Sequence, residues 1–485
     1  MKEELHFDAF MMPMSENTLS TLDCAIIGGG ISGLTALYAV HQKCPAWRIR
    51  LFETQDRLGG ILETRNENGF LIETSADSFI TDPSAALKLC EDLGLGKELI
   101  STRATGRRAE VLYRGRLTAI PDGFQIMGTR KLLPLLTSPI LSWRGKLRAC
   151  CEPLIKAHTG VDDESLAAFA KRRMGREAFD RLIAPLVGGI YTADPEKLSM
   201  AAALPRFREM ERTHGSIYRG LKAEAKQSLK SAPGSGARYS LFATPRGGLG
   251  QLLEKLAMQV PSDAVRKGAE INYLERQADG LWRLELNGSE RFAARKLIIA
   301  IPAFRAAQLL QNVDVKLAES LQEIPYASCA VVCLAYDKTQ FRRLPESFGF
   351  IVPACEQRPI LAASFTSNKF SNRAPDDQWL VRVFLGGACQ EAILEQSDTQ
   401  LAEIANREMQ QILGVRGAPC LKMVVRWPRS MPQYHVGHTR RIEQIENRVS
   451  QLQNVALIGN AYHGVGIPQC IDGAIRAAEL LVERP

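Results

Sequence analysis

The sequence has no CxxC pair and no cluster of cysteine and histidine ligands, which argues against a structural zinc site. Its eleven cysteines follow no regular spacing, so a disulfide framework is not expected. Cys150 and Cys151 are adjacent, and Cys329 and Cys333 sit in an apolar run; all read as reduced, buried thiols. No stretch of about 18 apolar residues occurs, so no bilayer-spanning helix is expected. The first residues are mixed in charge and lack an apolar core, so they do not read as a signal peptide. Residues 1–21 are expected to form a flexible tail. No basic block with interleaved aromatics appears, and no nucleic-acid partner is expected.

What is present is ordinary for a globular chain: 485 residues, 45% apolar and 24% charged, with a net charge of +8. That length exceeds one hydrophobic core and implies two or three domains. The mild positive charge suits an anionic ligand or membrane surface without requiring either. Near the N-terminus, the apolar run Cys24–Ile27 predicts a buried strand. A helix over Ile31–Gln42 and a second strand over Arg48–Phe52 complete a βαβ unit. Strands are predicted at 69–73 and 296–301, and helices at 84–95, 131–141, 147–156, 165–173 and 176–186. The small, polar run Ser231–Ser240 reads as a loop. Residues 324–384 read mainly as strands, 400–413 as a helix, and 455–458 with 471–482 as a closing strand and helix.

Gly28, Gly30 and Gly33 lie between the first strand and its helix. In that context the first glycine permits a tight turn, the second lets a pyrophosphate approach the backbone, and the third allows close helix packing. Glu53 ends the second strand, where a carboxylate can accept from ribose hydroxyls. Alone, this pattern says only dinucleotide. Arg57-Leu58-Gly59-Gly60 follows directly, and a second glycine pair lets backbone lie along an extended dinucleotide; this points to FAD.

The run DCAIIGGGISGLTALYAV, with LFETQDRLGGILET and GFLIETSADSF after it, resembles the protoporphyrinogen oxidase family of glycine-doublet flavoproteins. TPRGGL at 244–249, RWPRSMPQYHVGH at 426–438 and GNAYHGVGIPQCI at 459–471 strengthen the resemblance, which spans about residues 22 to 482. Ala104-Thr105-Gly106, MPQYHVGH and GVGIPQCID look most like the bacterial branch that oxidises coproporphyrinogen III. One departure matters: the arginine that pairs with a propionate in enzymes acting on protoporphyrinogen has no aligned match before Leu112-Tyr113, although Arg107 and Arg108 lie upstream.

The resemblance implies an α/β fold: a Rossmann-type, amine-oxidase-like FAD-binding domain discontinuous in sequence, a mixed α+β substrate domain and a helical domain. The expected boundaries are 22–85, 243–305 and 440–485 for the FAD-binding domain, 86–105 and 306–439 for the substrate domain, and 106–242 for the helical domain. The implied FAD-binding residues are Gly28, Gly30, Ile31, Ser32, Gly33, Glu53, Thr54, Arg57, Leu58, Gly59, Gly60, Ile271, Trp427, Gly459, Val465, Gly466 and Ile467. Leu186 and Gly189 would line one side of the substrate pocket, and Phe348, Gly349 and Ile351 the other. No metal and no catalytic side chain are implied, since the flavin carries the chemistry. His435, His438 and His463 are read as structural.

The implied activity is oxygen-dependent, six-electron oxidation of a porphyrinogen to a porphyrin in haem biosynthesis, with hydrogen peroxide as by-product. Coproporphyrinogen III is favoured and protoporphyrinogen IX is the alternative. An amine oxidase, a carotene desaturase and a non-catalytic porphyrin-carrying flavoprotein are the remaining readings. The implied partners are the porphyrinogen, molecular oxygen and a downstream ferrochelatase. The implied location is the cytoplasm. Residues 121–157 carry apolar and basic side chains together and suit peripheral contact with the inner face of the cell membrane.

Overall fold

In the computed structural model the described residues are 20–483, except 107, 159, 161, 231–240 and 289. The expected tail up to residue 19, the loop Ser231–Ser240 and Arg107 therefore lie outside the described residues.

The first strand, Ser20–Ile27, is buried on both faces: Cys24 and Ile26 pack into one apolar cluster, Ala25 and Ile27 into another. Two-sided burial is why it reads as a continuous apolar run rather than an alternating one. It pairs in parallel with Ile49–Phe52 on one side and Glu290–Ile299 on the other. Val265–Arg266 extends the sheet beyond Ile49–Phe52, and Val455–Leu457 pairs in parallel with Glu290–Ile299. Trp282–Leu286 and Ile271–Arg276 add an antiparallel edge. Helices Ile31–Lys43, Ala85–Asp92, Leu249–Met258 and Ile467–Glu483 cover one face; Ala303–Leu310, Val315–Gln322 and His438–Leu452 cover the other.

A second sheet runs in the order Leu421–Pro432, Tyr326–Asp337, Gln378–Gly386, Ala362–Ser364, Gly349–Ile351, Glu110–Tyr113, Arg116–Ala119. Helix Asp398–Leu413 packs on one face. The other face meets strand Phe70–Glu73 at one end and a helical layer at the other. That layer includes Leu166–Met174, the run Arg176–Tyr191 with a wider turn at Phe179–Ile183, and Pro205–His214.

Three boundary expectations change. Helix Ala85–Asp92, expected in the substrate domain, buries Ala86, Leu89 and Cys90 beside the helices of the first sheet. Residues 306–324, also expected there, cover the first sheet's opposite face through Ala306, Leu310, Leu317 and Leu321. Glu110–Tyr113 and Arg116–Ala119, expected in the helical domain, are strands of the second sheet, with Leu112 buried in its core. The physical reason is common to all three. An apolar face states that a segment must be covered, not which sheet it will cover.

Candidate functional site

The parallel strands of the first sheet end together. Ile27 leads into Gly28, Phe52 into Glu53, Ile299 into Ala300 and Leu457 into Ile458-Gly459. Ligands bind such sheets in the crevice outside the carboxyl ends, where strand order reverses. Every segment singled out by its glycines opens onto this edge.

Gly28 adopts φ +104°, and a Cβ there would lie 2.6 Å from the Ala300 carbonyl oxygen. A Cβ at Gly33 would overlap the Gly28 carbonyl oxygen, so the helix sits this close to the turn only because Gly33 lacks a side chain. Gly30 differs: a Cβ would meet nothing within 4 Å. Its backbone faces open space, as an approaching phosphate needs. The second glycine pair lies against the first loop, with Gly59 N–H donating to Gly29 O at 2.8 Å and Gly30 bridging Gly59. Arg57 turns back onto its own loop and donates to Gly60 O at 2.7 Å, fixing the turn. Glu53 is buried; it accepts from Gly29 N at 2.6 Å and Gln55 N at 2.8 Å. Each oxygen keeps a lone pair for a further donor. Thr54 is exposed beside it, and Ile31, Ser32 and Leu58 pack at the root of the loops. Ile271 begins the edge strand two residues after Ala269, whose N–H donates to Glu53 O at 2.8 Å.

The other end of the crevice is made by side chains from distant segments. Trp427 Nε1 donates to Thr74 O at 2.8 Å. Arg382 donates to the Glu73 and Ser75 carbonyls at 3.1 and 2.5 Å and pairs with Asp77 at 2.5 Å. Lys369 reaches the same carboxylate at 2.7 Å. Burial alone would raise the Asp77 carboxyl, but Arg382 and Lys369 outweigh it and hold it well below the usual range. Burial pushes Glu73 up to about 7, against the opposing pull of Leu249 N–H, Thr64 and Arg373. Its carboxyl accepts from Leu249 N at 2.7 Å, at the first residue of helix Leu249–Met258 that follows the TPRGG turn. The loop 459–466 then closes this end and leads into helix Ile467–Glu483. A Cβ at Gly459 would meet nothing within 4 Å. The buried Ser75 Oγ and Gln469 Oε1 have no hydrogen-bond partner. Open backbone at both ends and unfilled polar atoms between them fit an extended dinucleotide.

Leu186, Ile351 and Val465 share one apolar cluster, with Phe384 beside them. A Cβ at Gly189 would come to 3.6 Å from Ile351, so the helix run and the strand Gly349–Ile351 approach closely there. Gly349 is in φ +145°, and a Cβ would overlap Ala363 O. Phe348 is half-buried ahead of the strand. Arg108 pairs with Glu346 at 3.5 Å, and Tyr113 lies under Arg114 and Arg181. Of the three histidines, His463 is exposed and pairs with Glu446 at 2.6 Å, while burial lowers His435 and takes His438 down to about 4.

Residues 31–482 match the flavin-containing amine oxidoreductase family. The chain belongs to that family. As a member of it, the chain is an FAD-dependent oxidoreductase. The chain is 32% identical over 457 residues to the coproporphyrinogen III oxidase of Bacillus subtilis, covering 92% of this chain and 95% of that one. It is 31% identical to the chloroplastic protoporphyrinogen oxidase 1 of Arabidopsis thaliana, covering 95% and 88%. A solved structure from Exiguobacterium sp. 255-15 superposes with a TM-score of 0.83 at 28% identity, over 96% of this chain and 99% of that one. The resemblance read from the motifs and the α/β architecture both hold.

Arg382, Lys369, Asp77 and Tyr434 were given no role from sequence, although Asp77 and Tyr434 stand inside quoted motifs. Arg382 alone carried a signal, a charge within the apolar run WLVRVFLG.

Proposed function

We propose that this chain oxidises a porphyrinogen to the corresponding porphyrin, with coproporphyrinogen III favoured over protoporphyrinogen IX, oxygen as acceptor and hydrogen peroxide as product. The observation that carries this reading is the single apolar cluster that takes in Leu186, Ile351 and Val465 of the loop that closes the crevice. The apolar macrocycle of a tetrapyrrole suits such a wall, which orients it and excludes water. The relatives that this chain resembles over nearly its whole length carry both substrate names.

Gly30, Ile31, Ser32 and Gly33 would hold the pyrophosphate by backbone N–H groups, and Gly28, whose own N–H is given to Phe52 O, would make the turn that admits it. Glu53 and Thr54 would take the ribose, and the backbone at Ile271 the adenine. Arg57, Leu58, Gly59 and Gly60 would carry the second half of the dinucleotide. Trp427, Gly459, Val465, Gly466 and Ile467 would border the ring, where the first N–H groups of the closing helix favour negative charge. When bound, FAD supplies the two-electron acceptor, so three cycles remove six electrons. Leu186, Gly189, Phe348, Gly349 and Ile351 hold the substrate against it. No side chain is assigned as a general base.

The test compares the two porphyrinogens with purified, FAD-loaded protein, following porphyrin fluorescence and oxygen uptake. Faster fluorescence gain with coproporphyrinogen III supports the reading. A faster gain with protoporphyrinogen IX reverses the preference, and no gain above autoxidation with either overturns the function.

Peripheral membrane contact has its own support. Leu133, Trp143, Leu147 and Leu154 are 71, 71, 61 and 80% exposed, and Lys146 stacks over the Trp143 ring at 4.8 Å. Apolar tips among basic residues suit an anionic lipid surface. Co-flotation with anionic but not neutral liposomes is expected; no flotation with either rejects the contact.

A further inference from the structure

The segment Met431–His438 crosses from the second sheet to the helix His438–Leu452. Its backbone is stitched to the helical layer: Ser199 N donates to Tyr434 O at 2.7 Å, and Val436 N to Lys197 O at 2.9 Å. Asp163 adds a further tie, accepting from Gly437 N at 3.1 Å and Ser199 Oγ at 2.7 Å. The segment is therefore anchored independently of the crevice.

From this anchor, two rings project under the loop that joins strand Val455–Leu457 to helix Ile467–Glu483. Tyr434 and His438 are almost fully buried and stack face to face, with centroids 4.0 Å apart and planes 12° from parallel. The Tyr434 hydroxyl donates to Asn460 O at 2.5 Å and accepts from Gly464 N at 2.9 Å. One phenol thus bridges the two ends of a five-residue stretch. Between those ends, the carbonyls of Ala461 and Tyr462 lie against the His438 ring without reaching hydrogen-bond geometry. Gly464 holds φ +137°, a conformation that L side chains rarely adopt, and it is the residue whose N–H the phenol receives. The other side-chain contacts to the ends of the stretch are long: Cys470 Sγ to Gly464 O at 3.9 Å and Asn460 Nδ2 to Ser430 O at 3.5 Å.

We propose that Tyr434 and His438 are a positioning pair: the hydroxyl fixes the span from Asn460 to Gly464, and the stacked imidazole fixes the ring that carries it. The pair thereby aims the N–H groups of Val465, Gly466 and Ile467 into the crevice. The inference rests on the reading above that these three residues border the flavin ring. It adds a residue pair that acts through backbone geometry. It also links the helical layer, which carries Leu186 and Gly189, to the flavin side of the crevice.

Tyr434→Phe keeps the ring and the stack and removes both hydrogen bonds. FAD content, the visible flavin spectrum, the two-electron reduction equilibrium of the bound flavin, and kcat and KM with the preferred porphyrinogen are compared with wild type. FAD is expected to remain bound. The reduction equilibrium should shift about tenfold toward the oxidised form, roughly the preference that one or two hydrogen bonds supply; for a two-electron couple that is about 30 mV. kcat should fall while KM stays within about twofold. His438→Leu, which removes the stack and leaves the hydroxyl, should give a smaller shift in the same direction, and His438→Phe should restore it. A Tyr434→Phe protein that is less heat-stable but has an unchanged spectrum and reduction equilibrium would make the pair merely structural and overturn the proposal. If neither Tyr434→Phe nor His438→Leu folds, the pair is a folding element and the proposal falls. Wild-type protein without FAD, or without porphyrinogen oxidation, defeats the functional reading instead.

Discussion

The two ends of the crevice are built from different materials. At the end proposed for the pyrophosphate the surface is backbone, and the decisive residues are glycines whose missing side chains allow contact between Gly28, Gly33, Gly29 and Gly59. At the end proposed for the ring the surface is held by side chains that arrive from far along the chain: Trp427 to Thr74, Arg382 to Ser75 and Asp77, Tyr434 to Asn460 and Gly464. The first end leaves no room for a Cβ at Gly28, Gly33 or Gly59. The second has redundant supports, so each loss should be graded. A cofactor that every member of a fold binds needs only the first kind of construction. A substrate that differs between members calls for the second, since side chains can be exchanged without rebuilding the sheet.

The sharpest way to break this contrast is Gly33→Val. Its side chain would overlap the Gly28 carbonyl, and bound FAD should be lost entirely, read as loss of flavin absorbance in the purified protein. A yellow, FAD-loaded variant would show that the backbone end can yield. Next comes Arg382→Leu, which removes a donor from the Glu73 and Ser75 carbonyls and leaves Asp77 with Lys369 and the Ser78 hydroxyl. Removing one partner of a buried ionic group costs about 3–5 kcal/mol, measurable by urea unfolding, and Asp77→Asn on the same background should recover part of it.

Acid provides a third test. Folding keeps His438 neutral down to about pH 4, whereas the unfolded chain takes up that proton near its ordinary value of 6.5. Between those values the unfolded state binds more protons, so stability present above pH 6.5 is lost as pH falls toward 4. Arg441 and His463 face the ring and act in the same direction. The loss attributable to His438 is up to ~3 kcal/mol. His438→Phe should flatten that part of the profile, leaving the Asp77 contribution, which disappears only at lower pH because Arg382 and Lys369 hold that carboxyl down. An unchanged profile would reassign the acid sensitivity. The smallest effect belongs to Trp427→Phe: one hydrogen bond to Thr74 O, about 1 kcal/mol by thermal unfolding, with FAD retained.

The same contrast explains what could be read from the chain alone. The glycine loop, the glycine pair and Glu53 could be singled out because local spacing alone marks them, and Gly28, Gly30 and Gly33 stand in three different environments. The ring end was legible only as motifs. WLVRVFLG reads as a strand with one solvated arginine, yet Arg382 is 3% exposed and grips a loop some three hundred residues away. Nothing in that segment states which partner neutralises it. Likewise the helices at 85–92 and 303–322 announced an apolar face but not the sheet it covers. Arg57 adds a contact that its spacing did not announce: its guanidinium donates to Gly60 O and so shapes the loop it stands on.

The strand register carries a consequence for synthesis. Ser20–Ile27 is made long before its neighbour on one side, Glu290–Ile299, which in turn pairs with the still later Val455–Leu457. A growing chain therefore carries a two-sided apolar strand with one edge uncovered until that later neighbour is made. Such distant pairing makes folding slow. The edge stays adhesive until late segments arrive, and chaperone protection of the nascent chain would matter more here than in a protein whose strands pair in order.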